Sequence, residues 1–236
     1  MTEAACGTIC APITTGEGIV AGEEHGRRAA AVFDALGPAY EKAFAHSEAH
    51  RASLQWLLGL LAPGSRVLDV GSGTGRPTAS TLTEAGHEVL GIDVSPVMVE
   101  LAARQVPAAE FRCADIRDVE LEDGSFDAVC VYFSLLMMSR QEQSELVRRL
   151  VRALRPGGGL VLATVPADVE DVEFVFMGQP VRATSFATED VVALVKGAGL
   201  AVVSDQSVLF TPAHSDAAPE PHLFLCCRRD ARAPAG

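Results

Sequence analysis

Apolar residues recur along this chain in two ways, as short unbroken runs of strand length and as longer stretches at helical spacing. Residues 1–26 are small and polar with several glycines, hold no sustained period, and read as a leader that is either loose or folded over the body. Helical spacing begins at Arg27, with Ala29 to Phe33, then Tyr40 to Ala45, then Leu54, Leu57, Leu58 and Leu61 at i, i+3, i+4 and i+7. Pro63-Gly64 stops the last helix, and a strand starts at Arg66. Further strands are expected over His87–Val94, Ala109–Ala114, Phe126–Phe133 and Leu160–Val165, with helices between them over Arg76–Ala85, Pro96–Gln105 and Arg140–Leu154. The punctuation agrees: Gly86 suits a left-handed cap, Ser95-Pro96 a helix start, Asp123-Gly124-Ser125 a turn, and Arg155 to Gly159 a break.

Strands alternating with helices predict right-handed crossovers and a parallel sheet covered on both faces. Beyond Val165 the pattern changes. Residues 166–187 read as a long irregular connection, followed by a helix over Glu189–Ala198 and two late strands, Ala201–Phe210 and His222–Arg228, which suit an antiparallel pair at the sheet edge. The chain thus divides into a leader (1–26), a helical cap (27–62) and an α/β domain (63–230) with a candidate lid at 166–187.

Composition narrows the partners. A formal charge of -12 argues against a partner bound through phosphate neutralisation, which needs a basic face, and so against nucleic acid. No apolar run approaches the roughly 18 residues of a membrane span, and no signal-peptide layout is evident, so a cytoplasmic location is expected. Cys113, Cys130, Cys226 and Cys227 fall in strand-like runs and are expected to be small buried hydrophobes, while Cys6 and Cys10 have no second ligand pair for zinc.

The chemistry centres on Val67 to Gly75. A β-branched apolar run ends in Gly71, Gly73 and Gly75, which let the backbone turn sharply and approach a ligand closely. A helix N-terminus just beyond would favour an anionic or carboxylate-bearing ligand. The dinucleotide fingerprint is G-x-G-x-x-G, whereas this loop reads G-x-G-x-G and has Arg76 where the third glycine would fall. Asp93, at the end of the second strand, can accept from both hydroxyls of a ribose, and Asp115, after the third, offers an acceptor for an exocyclic amine.

With these residues in that order, the sequence resembles the class I methyltransferases that use S-adenosylmethionine, small-molecule type, well over 67–165 and plausibly out to 229. The resemblance implies a Rossmann-like, seven-stranded, mostly parallel sheet with an antiparallel edge strand, helices on both faces and an N-terminal helical cap. It also implies that Asp69, Gly71, Ser72, Gly73, Thr74 and Gly75 back the amino-acid end of S-adenosyl-L-methionine, the product being S-adenosyl-L-homocysteine. Asp93 would hold the ribose, Asp115 and the Ile116 backbone would meet the adenine, and Val94 and Met98 would pack on it. Tyr40 and Tyr132 are further expected cofactor neighbours.

Methyl transfer from a sulfonium is an in-line displacement that needs alignment and exclusion of water, with a general base only where the nucleophile must lose a proton. The acceptor is expected to be a small, rather apolar metabolite, methylated at oxygen. Ligands of an open α/β sheet sit beyond the strand C-termini, which marks Phe133, Ser134 and Met137, together with Phe44, Phe174, Phe176 and Met177, as substrate-pocket candidates. The last three are either an apolar lid or the core of an extra strand. Relatives often carry a histidine in the turn after the fourth strand, and here Leu136-Met137-Met138 stands there. His46, His50 and Tyr132 are the remaining candidates for a base, against readings as exposed helix residues and pocket wall. The alternatives are a cyclase or isomerase that retains the cofactor, a nicotinamide-dependent oxidoreductase, and a non-enzymatic cofactor sensor.

Overall fold

The computed structural model describes residues 17–215 and 218–231, with side chains from Gly26 onward. Cys6 and Cys10 lie outside the described residues. Three helices come first, α1 (Glu17–Leu36), α2 (Pro38–Phe44) and α3 (Glu48–Leu60). The α/β part follows with β1 (Arg66–Val70), α4 (Thr78–Glu84), β2 (Glu88–Asp93), α5 (Pro96–Gln105), β3 (Glu110–Cys113), β4 (Phe126–Tyr132), α6 (Arg140–Ala153) and β5 (Leu154–Thr164). It ends with β6 (Val169–Phe176), β7 (Gln179–Ser185), α7 (Thr188–Gly197), β8 (Leu200–Phe210) and β9 (Glu220–Arg229).

Seven strands form one sheet in the order β3-β2-β1-β4-β5-β9-β8. Strands β1 to β5 pair in parallel, and β9 runs against both β5 and β8. The sheet edge is reversed as the two late strands suggested, with β9 one place in from the margin. Strand order turns back between β1 and β4, the point at which such sheets open a crevice for ligands.

The core lies on both faces of the sheet. Leu68, Val70, Val129, Val131, Leu160 and Leu162 meet α6 and α7 through Leu146, Leu150, Val191 and Val195. On the other face Val67, Val89, Cys130, Val161 and Phe224 meet α3 and α4 through Leu54, Leu57 and Leu82. Ser139 starts α6 with a capping box to Glu142, which satisfies the first backbone donors of that helix. Among the described cysteines Cys130, Cys226 and Cys227 are buried, but Cys113 is exposed at the end of β3, contrary to expectation.

Two regions differ from the sequence pattern. Helix α1 begins at Glu17, inside the stretch read as leader, and the helix packs on α5 and β7. The connection over 166–187 is not irregular: β6 and β7 form an antiparallel hairpin, a second two-stranded sheet. Its two-residue turn, Met177-Gly178, has φ of 48° and 81°, the left-handed pair of a type I′ turn. A methionine in that first position is what hid the hairpin.

This hairpin and the first helices form a cap with a small core of their own. Val32, Leu36, Ala43, Met177 and Val181 are buried together, with Phe33, Tyr40, Phe44, Met137 and Phe176 packed against them. Among the described residues no helix is long and apolar enough to cross a membrane.

Candidate active site

Beyond Val70 the chain turns through three glycines that all have positive φ, Gly71 at 69°, Gly73 at 52° and Gly75 at 79°. Two of them are also required by close approach. A Cβ on Gly71 would lie 2.3 Å from Cβ of Ser134, which follows β4, and one on Gly75 would press on Phe111 and Val106, at 3.1 Å from each. Gly75 therefore serves packing against α5 and β3, whereas Gly71 and Gly73 line a cavity.

The strand-end acids are held in place. Asp93 accepts from the Gly73 N–H at 2.8 Å through Oδ2 and from the Ser95 N–H at 2.9 Å through Oδ1. Burial raises its pKa, opposed by those two bonds. Ser95 caps α5 by accepting from the Met98 N–H, and its hydroxyl donates to Asp34 of α1 at 2.6 Å. Asp115 is clasped by Arg117, whose backbone N–H and Nε both donate to Oδ1 at 2.9 Å, and Arg117 also pairs with Glu142. Helix α1 crosses directly over this acid: a Cβ on Gly26 would be 2.6 Å from Asp115 Oδ2.

Asp69 is buried in the middle of β1 with Oδ2 unpartnered, and burial, then Asp93, pushes its pKa up to about 7. Ser72 Oγ and Ser134 Oγ are likewise buried without a partner. Of these three, Ser134 lines the cavity, where a bound polar ligand would satisfy its hydroxyl.

The cavity of about 430 Å³ runs from these acids to the cap. Of the residues singled out from sequence, Tyr40, Gly71, Gly73, Asp93, Val94, Met98, Asp115, Ile116 and Tyr132 line it, as do Phe44, Phe133, Ser134, Met137, Phe174 and Phe176. Asp69, Ser72, Thr74 and Gly75 lie behind that wall. Met177 is turned into the cap core, since it forms the hairpin turn. Tyr40 has its phenol pKa raised by burial, then by Glu220 and Asp93.

The candidate bases are placed otherwise. His46 is exposed and stands in the break between α2 and α3, so it does not share a helix face with His50. The His50 ring stacks on Tyr132 with centroids 3.8 Å apart and meets Thr78 Oγ1 at 3.0 Å. Burial, then the nearby His222, lowers its pKa to about 3, so it is neutral at physiological pH. Tyr132 bonds Ser53 Oγ at 2.9 Å, and that hydroxyl donates onward to the His50 carbonyl, so the phenol proton belongs to Ser53. Burial raises the Tyr132 pKa well above its usual value. His50, Ser53, Tyr132 and Thr78 thus tie α3 to the sheet and to α4.

Sequence reading missed Asp34, Arg117, Arg182 and Glu220. Only Arg117 left a trace, two positions after the strand-end acid; the others reach the site through tertiary packing.

Comparison with known proteins agrees with this arrangement. Residues 67–158 match a family described as a methyltransferase domain. A demethylmenaquinone methyltransferase of Renibacterium salmoninarum is 36% identical over 101 residues, 43% of this chain and 41% of its own length. An O-methyltransferase of Penicillium expansum is 35% identical over 113 residues, 45% and 40% respectively. The chain thus spans about two fifths of the length of these curated relatives. In structure it resembles the 1,6-didemethyltoxoflavin-N1-methyltransferase of Burkholderia thailandensis, solved with S-adenosylhomocysteine, at a TM-score of 0.66 and 20% identity over 94% of this chain and 93% of that one.

Proposed function

We propose that the chain, whose residues 67–158 match a methyltransferase domain, transfers a methyl group from S-adenosylmethionine to a small, largely apolar metabolite, at oxygen. One observation carries the reading: a glycine turn without room for a side chain at Gly71, hydrogen-bonded to Asp93, opens onto a cavity whose far wall is apolar.

The residues present fit this cofactor. Ser134 offers an unpartnered polar atom on the cavity wall that its amino-acid end would satisfy, with Gly71 and Gly73 giving the close backbone approach and Asp69 and Ser72 standing behind the turn. Asp93 would hold the ribose hydroxyls. Asp115 and the Ile116 backbone would meet the adenine, with Val94 and Met98 against its faces. When bound, the cofactor supplies a methyl group on a positively charged sulfur.

The protein's own part is alignment and exclusion of water. Asp93 fixes the glycine turn through the Gly73 N–H, so the cradle needs no reorganisation on binding. Phe44, Phe133, Phe176 and Met137 make an apolar wall on the acceptor side, with Phe174 half exposed at its edge. The helices ahead of Pro63 and the β6–β7 hairpin act as the cap that keeps water out. A retained-cofactor cyclisation is not favoured, because the relatives above carry methyltransferase names. A nicotinamide reaction is disfavoured by Arg76 in place of the third fingerprint glycine.

The test is incubation with methyl-labelled S-adenosylmethionine and a fractionated metabolite extract. Label is expected in a small molecule extractable into organic solvent. Label only in macromolecules, or in nothing, contradicts the proposal.

A further inference from the structure

Along the sheet the cavity is bordered in order by Asp115, Asp93, Gly71, Ser134 after β4, Val165 after β5, and Glu220 at the start of β9. The first three form the cofactor half. Over β4, β5 and β9 the wall is Phe133, Ser134, Val165 and Glu220, closed by the apolar cap. Glu220 is the carboxylate of that half among the described residues. The two arginines that line the cavity are held elsewhere, Arg117 by Asp115 and Glu142, Arg182 by Asp171 and Glu173.

Glu220 is fixed from behind. His222 is 1% exposed, and its Nε2 meets Glu220 Oε1 at 2.8 Å. Its ring stacks on Phe210, with centroids 5.1 Å apart, and touches Phe133 at 4.4 Å. Nδ1 is buried with no partner, so a second ring proton would have no acceptor there. The tautomer that suits this site carries its proton on Nε2 and donates it to the carboxylate. Oε1 is thereby occupied, while Oε2 has no hydrogen-bond partner among the described residues. The carboxylate is 26% exposed and stands on a wall that is apolar apart from Ser134 and the Tyr40 phenol, and such an oxygen matches a ligand that brings its own donor.

We propose that Glu220 is the anchor of the acceptor subsite. Its Oε2 accepts the hydrogen bond of the hydroxyl or amine to be methylated and takes up that proton as the group gives it up, and His222 is the positioning residue that aims it. This rests on the methyl-transfer reading. It also gives the proton acceptor a place on β9, the turn after β4 having no histidine.

Two probes with one ring system decide it: 2-naphthol, which has the proton, and 2-methoxynaphthalene, which lacks it. Binding is measured by calorimetry on the full chain, alone and saturated with S-adenosylhomocysteine. Wild type is expected to prefer 2-naphthol by roughly tenfold, the scale of one hydrogen bond to a charged group. Glu220→Gln should bring the two probes within about twofold of each other, since the amide keeps the shape and loses the charge. Its affinities for the methoxy probe and for S-adenosylhomocysteine should not change, which also shows that the variant is folded. His222→Phe should narrow the preference in the same way. Failure of 2-naphthol to bind, equal binding of both probes to wild type, or a preference untouched by Glu220→Gln overturns the anchor, and a preference untouched by His222→Phe removes the positioning role. Failure of S-adenosylhomocysteine to bind strikes the proposed function instead, while the probe comparison on the chain alone still judges Glu220.

Discussion

Asp93 and Gly73 are joined across the tips of two neighbouring strands, the Gly73 N–H donating to Asp93 Oδ2 at 2.8 Å. The acid therefore holds the glycine turn in place through its own hydrogen bond. Asp93→Ala removes both the turn's anchor and the proposed ribose acceptor, and the affinity for S-adenosylhomocysteine should fall by about 1–3 kcal/mol. Calorimetry reads this directly; unchanged affinity would contradict the ribose role.

Gly71 and Gly73 separate two kinds of constraint. Alanine at either meets a left-handed backbone that costs roughly 1–2 kcal/mol. At Gly71 it also meets Ser134 at 2.3 Å, whereas at Gly73 nothing lies within 4 Å. Overpacking should add about 1–3 kcal/mol to Gly71→Ala alone. Urea unfolding of both variants tests it, and equal losses of stability would refute the close approach of Ser134.

Asp69 makes stability depend on pH. Its folded pKa of about 7, raised by burial and then by Asp93, lies above the ordinary value of 3.8. The folded chain thus holds a proton that the unfolded chain gives up, and this contribution is present in acid and lost as pH rises through about 7. In denaturant melts the stability of Asp69→Asn relative to wild type should rise between pH 4 and 7, by on the order of a few kcal/mol. A slope identical to wild type would show that the carboxyl is not buried as described.

His50 works in the opposite direction over the same range. Its pKa is lowered to about 3 by burial, so the unfolded chain binds a proton that the folded chain refuses, and stability is lost as pH falls from 6.5 toward 3. The ring resonances of His50 should not titrate between pH 7.5 and 4.5 in an NMR series on the folded protein. A midpoint near the ordinary histidine value would return His50 to the candidate bases.

What could be read from the sequence was what the chain encodes locally. Gly71, Asp93 and Asp115 each sit at the end of a recognisable strand, and strand ends of a parallel sheet share one edge, so their meeting followed from order alone. Glu220 and His222 gave no such sign, because their place depends on β9 running back between β5 and β8. The hairpin was hidden by Met177 at a left-handed turn position usually filled by asparagine, aspartate or glycine. Helix α1 was legible from Arg27 onward, but its start at Glu17 was not. Tyr132 was visible as a residue of the wall, but that its hydroxyl turns away to Ser53 is a matter of packing.

The central claim is that the glycine turn, Asp93 and Asp115 form an S-adenosylmethionine site. Isothermal titration of the chain with S-adenosylhomocysteine tests it most directly. Saturable binding of one ligand per chain is expected, lost or strongly weakened in Gly71→Ala. No heat of binding from the folded wild-type chain, or binding indifferent to Gly71→Ala, would contradict it.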